Sequence, residues 1–220
     1  KLFQELLHSK TFPDVFRQRW NLIYQFFHEG NPSTQLNRTI ADAKKLFLKV
    51  NVQLAMSNGE MLEQMAIDNW AEYFIGISQD QQEVLRAKNR FAMLDPPNAS
   101  AFWGSPQKLI PNLFDSVVDN FIIVLSRDML DQREDSTQIV SFKSLLSIMK
   151  PKVRHDGTVQ ILTDIEKYGE HESSISHTLG ECGFKLVTDQ NTKIYFPSTW
   201  EGSQLNNNKK VLQLKIKNAS

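Results

Sequence analysis

The sequence predicts a mainly α protein with a small β part. A helical body is expected over residues 1–135 and a winged-helix-like α+β module over 136–200. A polar linker and a basic amphipathic strand follow over 201–220. Two observations predict this. Apolar residues recur at three- and four-residue steps through most of the first 130 positions, the spacing of amphipathic helices. Residues 158–196 then run as helix, short polar break, shorter helix, glycine and two alternating runs, which is the order of a winged helix.

In chain order, Pro13 and Asp14 give a helix start signal for residues 14–29, where Val15, Phe16, Trp20, Ile23 and Phe27 share one side. Gly30-Asn31-Pro32 breaks that helix. Ser33 can cap the next, because its hydroxyl accepts an orphan backbone N–H. Leu36, Ile40, Ala43, Phe47, Val50 and Leu54 carry the helical spacing on to Met56. Ser57-Asn58-Gly59 punctuates. Met61, Leu62, Met65, Ala66, Trp70, Tyr73 and Phe74 mark a third helix, ended by Gly76 and Ser78, and residues 80–94 a fourth. Asp95-Pro96-Pro97-Asn98 stops helix formation, since proline lacks the donor and biases its predecessor to extended backbone. Residues 95–106 read as the longest loop, with Phe102 and Trp103 tucked onto the body. Residues 107–130 are the most apolar stretch and read as a buried helix. A buried parallel strand over 121–125 is the alternative, because β-branched runs are ambiguous. Residues 131–136 are a charged loop.

In the module, residues 138–149 give a helix with Ile139, Phe142, Leu145, Leu146 and Met149 inward, stopped by Lys150-Pro151. Thr158 caps a helix over 158–168. Ser173 caps another over 173–182, with Ile175, Leu179 and Cys182 on one face. Gly183 sits where a helix ending needs positive φ, which costs glycine little. Runs 184–188 and 193–196 flank a turn at 189–192. A hairpin alone is marginal in water, so it must pack on the helices. Some other α+β ending shares the same order of elements. In the tail, residues 209–217 alternate as a strand that could join the wing sheet.

Composition narrows function. The 220 residues carry 25 basic and 25 acidic side chains, a net charge of zero, which argues against a strong general nucleic-acid binder. The one cysteine, Cys182, cannot form an internal disulfide and favours a reducing compartment, hence an intracellular, nuclear or cytoplasmic place. Sequons at Asn37, Asn98 and Asn218 read as chance. No run is long and apolar enough to span a membrane, so no membrane partner is expected.

No glycine-rich phosphate loop and no nucleophile elbow occurs, so neither a cofactor nor a catalytic residue is expected. One cysteine and scattered histidines do not support zinc. His155-Asp156 and His171-Glu172 read as solvated turn residues. Cys182, at a helix C-terminal end and out of line with His177, reads as a core thiol rather than a nucleophile. Glu60/Glu63 and Asp68/Glu72 read as solvated helix faces.

What remains is a basic cluster. Lys150, Lys152, Arg154 and His155 precede the second module helix, Lys185 and Lys193 sit on the wing, and Lys209 and Lys210 open the tail strand. These are the candidate nucleic-acid-binding residues, touching phosphates. The helix over 173–182 has no Arg, Asn or Gln, the side chains that read purines bidentately, so base-specific reading is not expected. The expected function is a non-enzymatic interaction module: a winged-helix subunit of a nucleic-acid-associated complex, partnered by other protein subunits and by DNA or RNA. The alternative is a pure protein scaffold subunit with an exposed apolar patch. A third reading is an enzyme assembled from distant residues such as His28, Asp68 and Arg90.

Overall fold

In the computed structural model, which describes residues 31–124, 141–187 and 211–218, helices and strands alternate from the start. Helix α1 (Pro32–Leu46) leads into β1 (Lys49–Leu54), α2 (Glu60–Asp68) into β2 (Glu72–Ser78), and α3 (Gln81–Phe91) into β3 (Ala99–Trp103). A short α4 (Pro106–Leu109) and a 3-10 turn (Ile110–Asn112) precede β4 (Val118–Val124). Helix α5 (Phe142–Met149) and a second 3-10 turn (Lys150–Lys152) precede β5 (Val153–Asp164). Then come α6 (Ile165–Glu181), β6 (Phe184–Val187) and β7 (Val211–Asn218).

The strands form one seven-stranded sheet in the order β3-β2-β1-β4-β5-β7-β6. β1 runs parallel to β2 and β4, β2 to β3, and β4 to β5. β7 is antiparallel to both its neighbours. This is a doubly wound, Rossmann-like α/β arrangement, and the winding reverses between β1 and β4.

The expected helical body with a winged helix is therefore corrected. Residues read as helix at 49–54 and 158–164, as the end of the third helix at 72–78, as turn at 155–156 and as loop at 99–103 are strands. The cause is two-sided burial. In β1 every residue after Lys49 is buried, and in β2 every residue from Phe74 to Ser78. A parallel strand with helices on both faces can lose the alternation of apolar and polar residues, as Tyr73 to Ile77 do in β2. In β1 the alternation is kept, but Val50 and Leu54 stand four apart and continue the helical spacing of Ala43 and Phe47. The strand alternative over 121–125 matches β4, and the strand expected over 184–188 is β6. The tail strand forms as β7, but it lies between β5 and β6 in the main sheet. The boundaries expected at 135/136 and 200/201 fall between strands of this one sheet. The helix expected over 14–29 and the strand over 193–196 lie outside the described residues.

Both faces of the sheet are covered. On one, Leu36 and Ile40 of α1, Leu145, Leu146 and Met149 of α5, and Ile175 and Leu179 of α6 pack on Val52, Ile75, Phe121, Ile123 and Val159. On the other, Met61, Leu62 and Met65 of α2 and Val84, Ala87 and Phe91 of α3 pack on Phe74, Ile122 and Leu162. Each large side chain so buried stabilises by about 1.5–3 kcal/mol.

A polar ladder fixes the register beneath this second layer. Asn51 Nδ2 donates to Glu72 Oε2 at 2.9 Å, Asn120 Nδ2 to Asn51 Oδ1 at 2.6 Å, and Thr158 Oγ1 to Asn120 Oδ1 at 2.5 Å. Because a one-residue slip would break every link, the ladder locks β2, β1, β4 and β5 together. Asn98, 1% exposed, donates to the Ala66 and Glu72 carbonyls at 2.9 and 3.1 Å, so this sequon asparagine belongs to the interior. With register fixed, the carboxyl ends of β1 to β5 emerge along one edge. Ligands of doubly wound sheets bind at that edge, at the reversal point. Among the described residues no helix is long and apolar enough to cross a membrane.

Candidate functional site

The loop from β1 to α2 stands at the reversal point. Three alternate residues take left-handed backbone: Ala55 at φ 55°, Ser57 at φ 54° and Gly59 at φ 79°. Glycine adopts this freely, whereas alanine and serine each carry a cost of about 1–2 kcal/mol. The surroundings hold the strain. Met56, 1% exposed, donates its N–H to the Ile77 carbonyl at 3.3 Å, and its Sδ fills the space where a Cβ on Gly76 would sit. Arg86 donates to Asn58 Oδ1 at 3.1 Å. Gly59 lies so close to α3 that a Cβ there would stand 2.7 Å from Ala87 Cβ. Strain over-determined by packing is typical of ligand loops. Its effect is a wide turn of small residues, with Ala55 exposed, leading into α2. The first-turn amides of α2 have no acceptor inside the helix and suit an anionic group.

The carboxyl end of β2 carries acids. Buried Ser78 donates its hydroxyl to Glu83 Oε2 at 2.6 Å and accepts the Asp80 N–H at 3.0 Å. Asp80 caps α3, taking the Gln82 N–H at 2.7 Å. At the end of β3, the Trp103 indole donates to the Gln79 carbonyl at 3.0 Å, which fixes a ring that is 39% exposed. Gly104 donates to the Ser78 carbonyl at 2.9 Å, tying the β2 and β3 ends together. Around them lies a cleft of about 540 Å³ lined by Gln79, Trp103, Ser105, Lys108, Asn112 and Asn31, among others. One residue back from the end of β1, Gln53 is fully buried, and neither of its amide atoms has a partner among the described residues. An orphaned buried polar group costs about 1–3 kcal/mol.

The residues expected to contact nucleic acid lie elsewhere. Lys150, Lys152, Arg154 and His155 stand at the amino end of β5, the edge opposite the cleft. Lys152, 8% exposed, donates to the Leu113 carbonyl and to Asp115 Oδ1, both at 2.7 Å. Arg154 pairs with Asp119 at 3.3 Å and Asp156 at 3.2 Å. The Lys150 ammonium lies against Gly183 (φ 69°), just past the end of α6, where a cation complements the helix dipole. His155 and Lys185 are exposed. Lys193, Lys209 and Lys210 lie outside the described residues. The structure thus brings Lys150, Lys152 and Arg154 to one edge, where Lys152 and Arg154 pair with neighbouring acids.

Other sequence candidates separate as well. Arg90 is held by Glu60 at 2.6 Å and Glu63 at 2.9 Å, at the opposite end of α2 from Asp68, and His28 lies outside the described residues. Cys182 is a buried free thiol, 8% exposed. Among the described residues no three His, Cys, Asp or Glu side chains form a metal cluster. Leu46, Leu48, Ile67, Trp70 and Met93 are exposed, all in the last helical turns or the helix-to-strand turns at the amino edge. The residues that matter at the carboxyl edge left one trace in the sequence. Ser57-Asn58-Gly59 is a turn signal, but it reads as a break between helices unless β1 is known to be a strand.

No protein family's sequence profile matches the chain, and no curated protein is similar to it in sequence. Solved structures are similar in fold. The aminoglycoside resistance methyltransferase NpmB1 superposes with a TM-score of 0.58 at 15% identity, over 83% of this chain and 93% of that one. The 16S rRNA (adenine(1408)-N(1))-methyltransferase of Catenulisporales acidiphilia, solved with its cosubstrate SAM, gives 0.59 at 12% identity, over 87% and 92%. The 16S rRNA methyltransferase KamB gives 0.57 at 13% identity, over 80% and 89%. The chain has the class I methyltransferase fold. The expected non-enzymatic function, as winged-helix subunit of a nucleic-acid-associated complex or as protein scaffold, is corrected by this likeness: the described residues form no winged helix, and the fold they form is the one of these solved methyltransferases.

Proposed function

We propose that this protein is a SAM-dependent methyltransferase acting on RNA. The observation that carries the reading is the strained left-handed loop at the reversal point of the sheet. The proteins of similar fold named above, two of them 16S rRNA methyltransferases, lend it support.

The residues present fit the cofactor. Ala55, Ser57 and Gly59 are the three smallest side-chain types, so backbone can approach a ligand closely there. The first-turn amides of α2 suit the carboxylate of the cofactor's amino-acid part. The cleft beside Trp103 and Leu109 offers apolar surface ringed by amide and hydroxyl groups, which suits a purine. Bound there, SAM supplies an electrophilic methyl group. The chain's own task is to position that group against an acceptor nitrogen and to keep water out, which is how most of such a barrier is lowered. Lys108, exposed at the rim of the cleft, is placed to meet a phosphate of the RNA.

Two measurements test the reading. Titration calorimetry should find binding of SAM and of S-adenosylhomocysteine. Tritiated methyl from SAM should then pass to ribosomal or transfer RNA and not to duplex DNA. Failure to bind either nucleoside would remove the reading; binding with transfer only to protein would remove its RNA part.

A further inference from the structure

We infer that the outer edge of β3 binds an acidic, extended segment of a partner protein, which adds a strand to the sheet. β3 ends the sheet, and among the described residues only β2 lies beside it. The Phe74 N–H donates to the Asn98 carbonyl and the Gly104 N–H to the Ser78 carbonyl, both at 2.9 Å. Every second residue of a parallel strand turns to the same neighbour, so Asn98, Ser100, Phe102 and Gly104 face β2. The N–H and C=O groups of Ala99, Ala101 and Trp103 therefore point outward. They offer donors and acceptors at strand spacing, over the five residues of β3 or about 16 Å.

The edge lies in a groove of about 630 Å³, lined by Ala99 to Phe102 and by both helical layers. Arg38 of α1 stands on one side of the sheet and Lys88 of α3 on the other. The lining holds these two cations and no acid. Arg38 lies 4.0 Å from Asp42, and both are too well solvated for that pair to neutralise the guanidinium. An extended chain sends alternate side chains to opposite faces, so two neighbouring acids on the partner reach Arg38 and Lys88. Charge also chooses among occupants. A second copy of this chain, paired through its own β3, brings like charges together. A phosphate group has no donor for the outward carbonyls, which repel it. An acidic peptide strand satisfies both the cations and the carbonyls, with main-chain bonds supplying affinity and side chains specificity. No residue lines both this groove and the cleft beside Trp103, so the inference stands apart from the cofactor reading.

The test is fluorescence anisotropy on the full chain at low ionic strength, with the labelled peptide Thr-Val-Thr-Asp-Glu-Val-Thr-Val. Replacing its Asp-Glu pair by Asn-Gln should weaken binding about twofold to thirtyfold, the worth of two exposed ion pairs. Arg38→Gln and Lys88→Gln should each weaken the acidic peptide about 1.5-fold to fivefold and leave the Asn-Gln peptide unchanged. The acidic peptide with every amide N-methylated keeps its charge but has no main-chain donors, and it should not bind. No binding of the acidic peptide overturns the inference, whatever fills the groove instead. So does equal binding of the N-methylated form, which would mean that charge alone attracts it. Variants that weaken both peptides alike would make Arg38 and Lys88 merely structural and overturn it too. A short single-stranded RNA that displaces the peptide would give the groove to RNA, with the same consequence.

Discussion

Gly59→Ala perturbs the loop at its most constrained point. The new side chain must take a φ of 79°, and its Cβ would stand 2.7 Å from Ala87 Cβ, 3.1 Å from Ala87 Cα and 3.1 Å from Phe91 Cζ. Left-handed backbone costs a non-glycine residue about 1–2 kcal/mol. The contact with Ala87 cannot be relieved by a rotamer change, since a methyl group and a backbone carbon do not swing away. Either α3 shifts or the loop does, and overpacking of this kind adds about 1–3 kcal/mol. The expected loss is the sum, about 2–5 kcal/mol, against a total domain stability of about 5–15 kcal/mol. The opposite changes lie two and four residues earlier. Ala55→Gly and Ser57→Gly remove a left-handed penalty of about 1–2 kcal/mol each. They also free the unfolded chain, which takes back about 0.4–1 kcal/mol. Each should leave stability unchanged or raise it by up to about 1.6 kcal/mol. Urea denaturation followed by tryptophan fluorescence reads all three, with the slope m unchanged if the compactness of both states is preserved. A Gly59→Ala variant as stable as its parent, or glycine variants at 55 and 57 that each lose more than about 1 kcal/mol, would refute the account of a strained loop held by its neighbours.

Three further outcomes follow from single side chains. Gln53→Leu removes two buried orphan atoms and should raise stability by about 1–3 kcal/mol in the ligand-free protein, measured by urea midpoint; a lower midpoint would mean the amide has a partner in solution. Asn98→Ala strands the Ala66 and Glu72 carbonyls between α2 and β2 and should lower stability by about 1–3 kcal/mol, whereas a change near zero would mean water replaces the amide. Burial holds the Tyr73 phenol above its ordinary value, and the neighbouring Ser100 hydroxyl offsets only part of that. Above about pH 10 the unfolded chain releases this proton while the native state keeps it. The stability tied to it is therefore complete below that pH and is lost as pH rises through the folded value. Tyr73→Phe keeps the ring contact with Phe47, at 5.1 Å between centroids, and should flatten that alkaline decline in denaturation midpoints; an unchanged slope would count against it.

How much of this was legible in the sequence differs by element. Helix α5 and the second half of α6 have one wet face, so Phe142, Leu145, Leu146 and Met149, like Ile175 and Leu179, stand out against polar neighbours. Strand β6 lies at the sheet edge and alternates visibly from Phe184 to Lys185. The central strands have no wet face. Val50, Val52 and Leu54 meet one helical layer while Asn51 and Gln53 point to the other, and all five are buried. Val50 and Leu54, four apart, also satisfy helical spacing and continue the series from Ala43 and Phe47, which hides the strand alternation. Nothing local marks Asn51 as one link in a ladder across four strands, because its partners are Glu72 and Asn120, far along the chain.

The candidate site was hidden for a different reason. A sequence search for a phosphate or nucleoside loop looks for glycines, because glycine is the cheap way to obtain left-handed backbone. This loop keeps the conformation and discards two of the glycines, leaving Ala55 and Ser57 at φ values of 55° and 54°. The turn is specified instead by what grips it from outside: Met56 against Gly76, and Gly59 against Ala87. The glycines that make the geometry possible are thus Gly76, which is on a strand, and Gly59, which reads as ordinary punctuation. At the end of β2 the Ser78 hydroxyl reaches across to the Glu83 carboxylate on α3, again a contact between elements. The candidate site is built from contacts between elements rather than from a contiguous word of sequence, so it comes into view only once the strands are laid side by side.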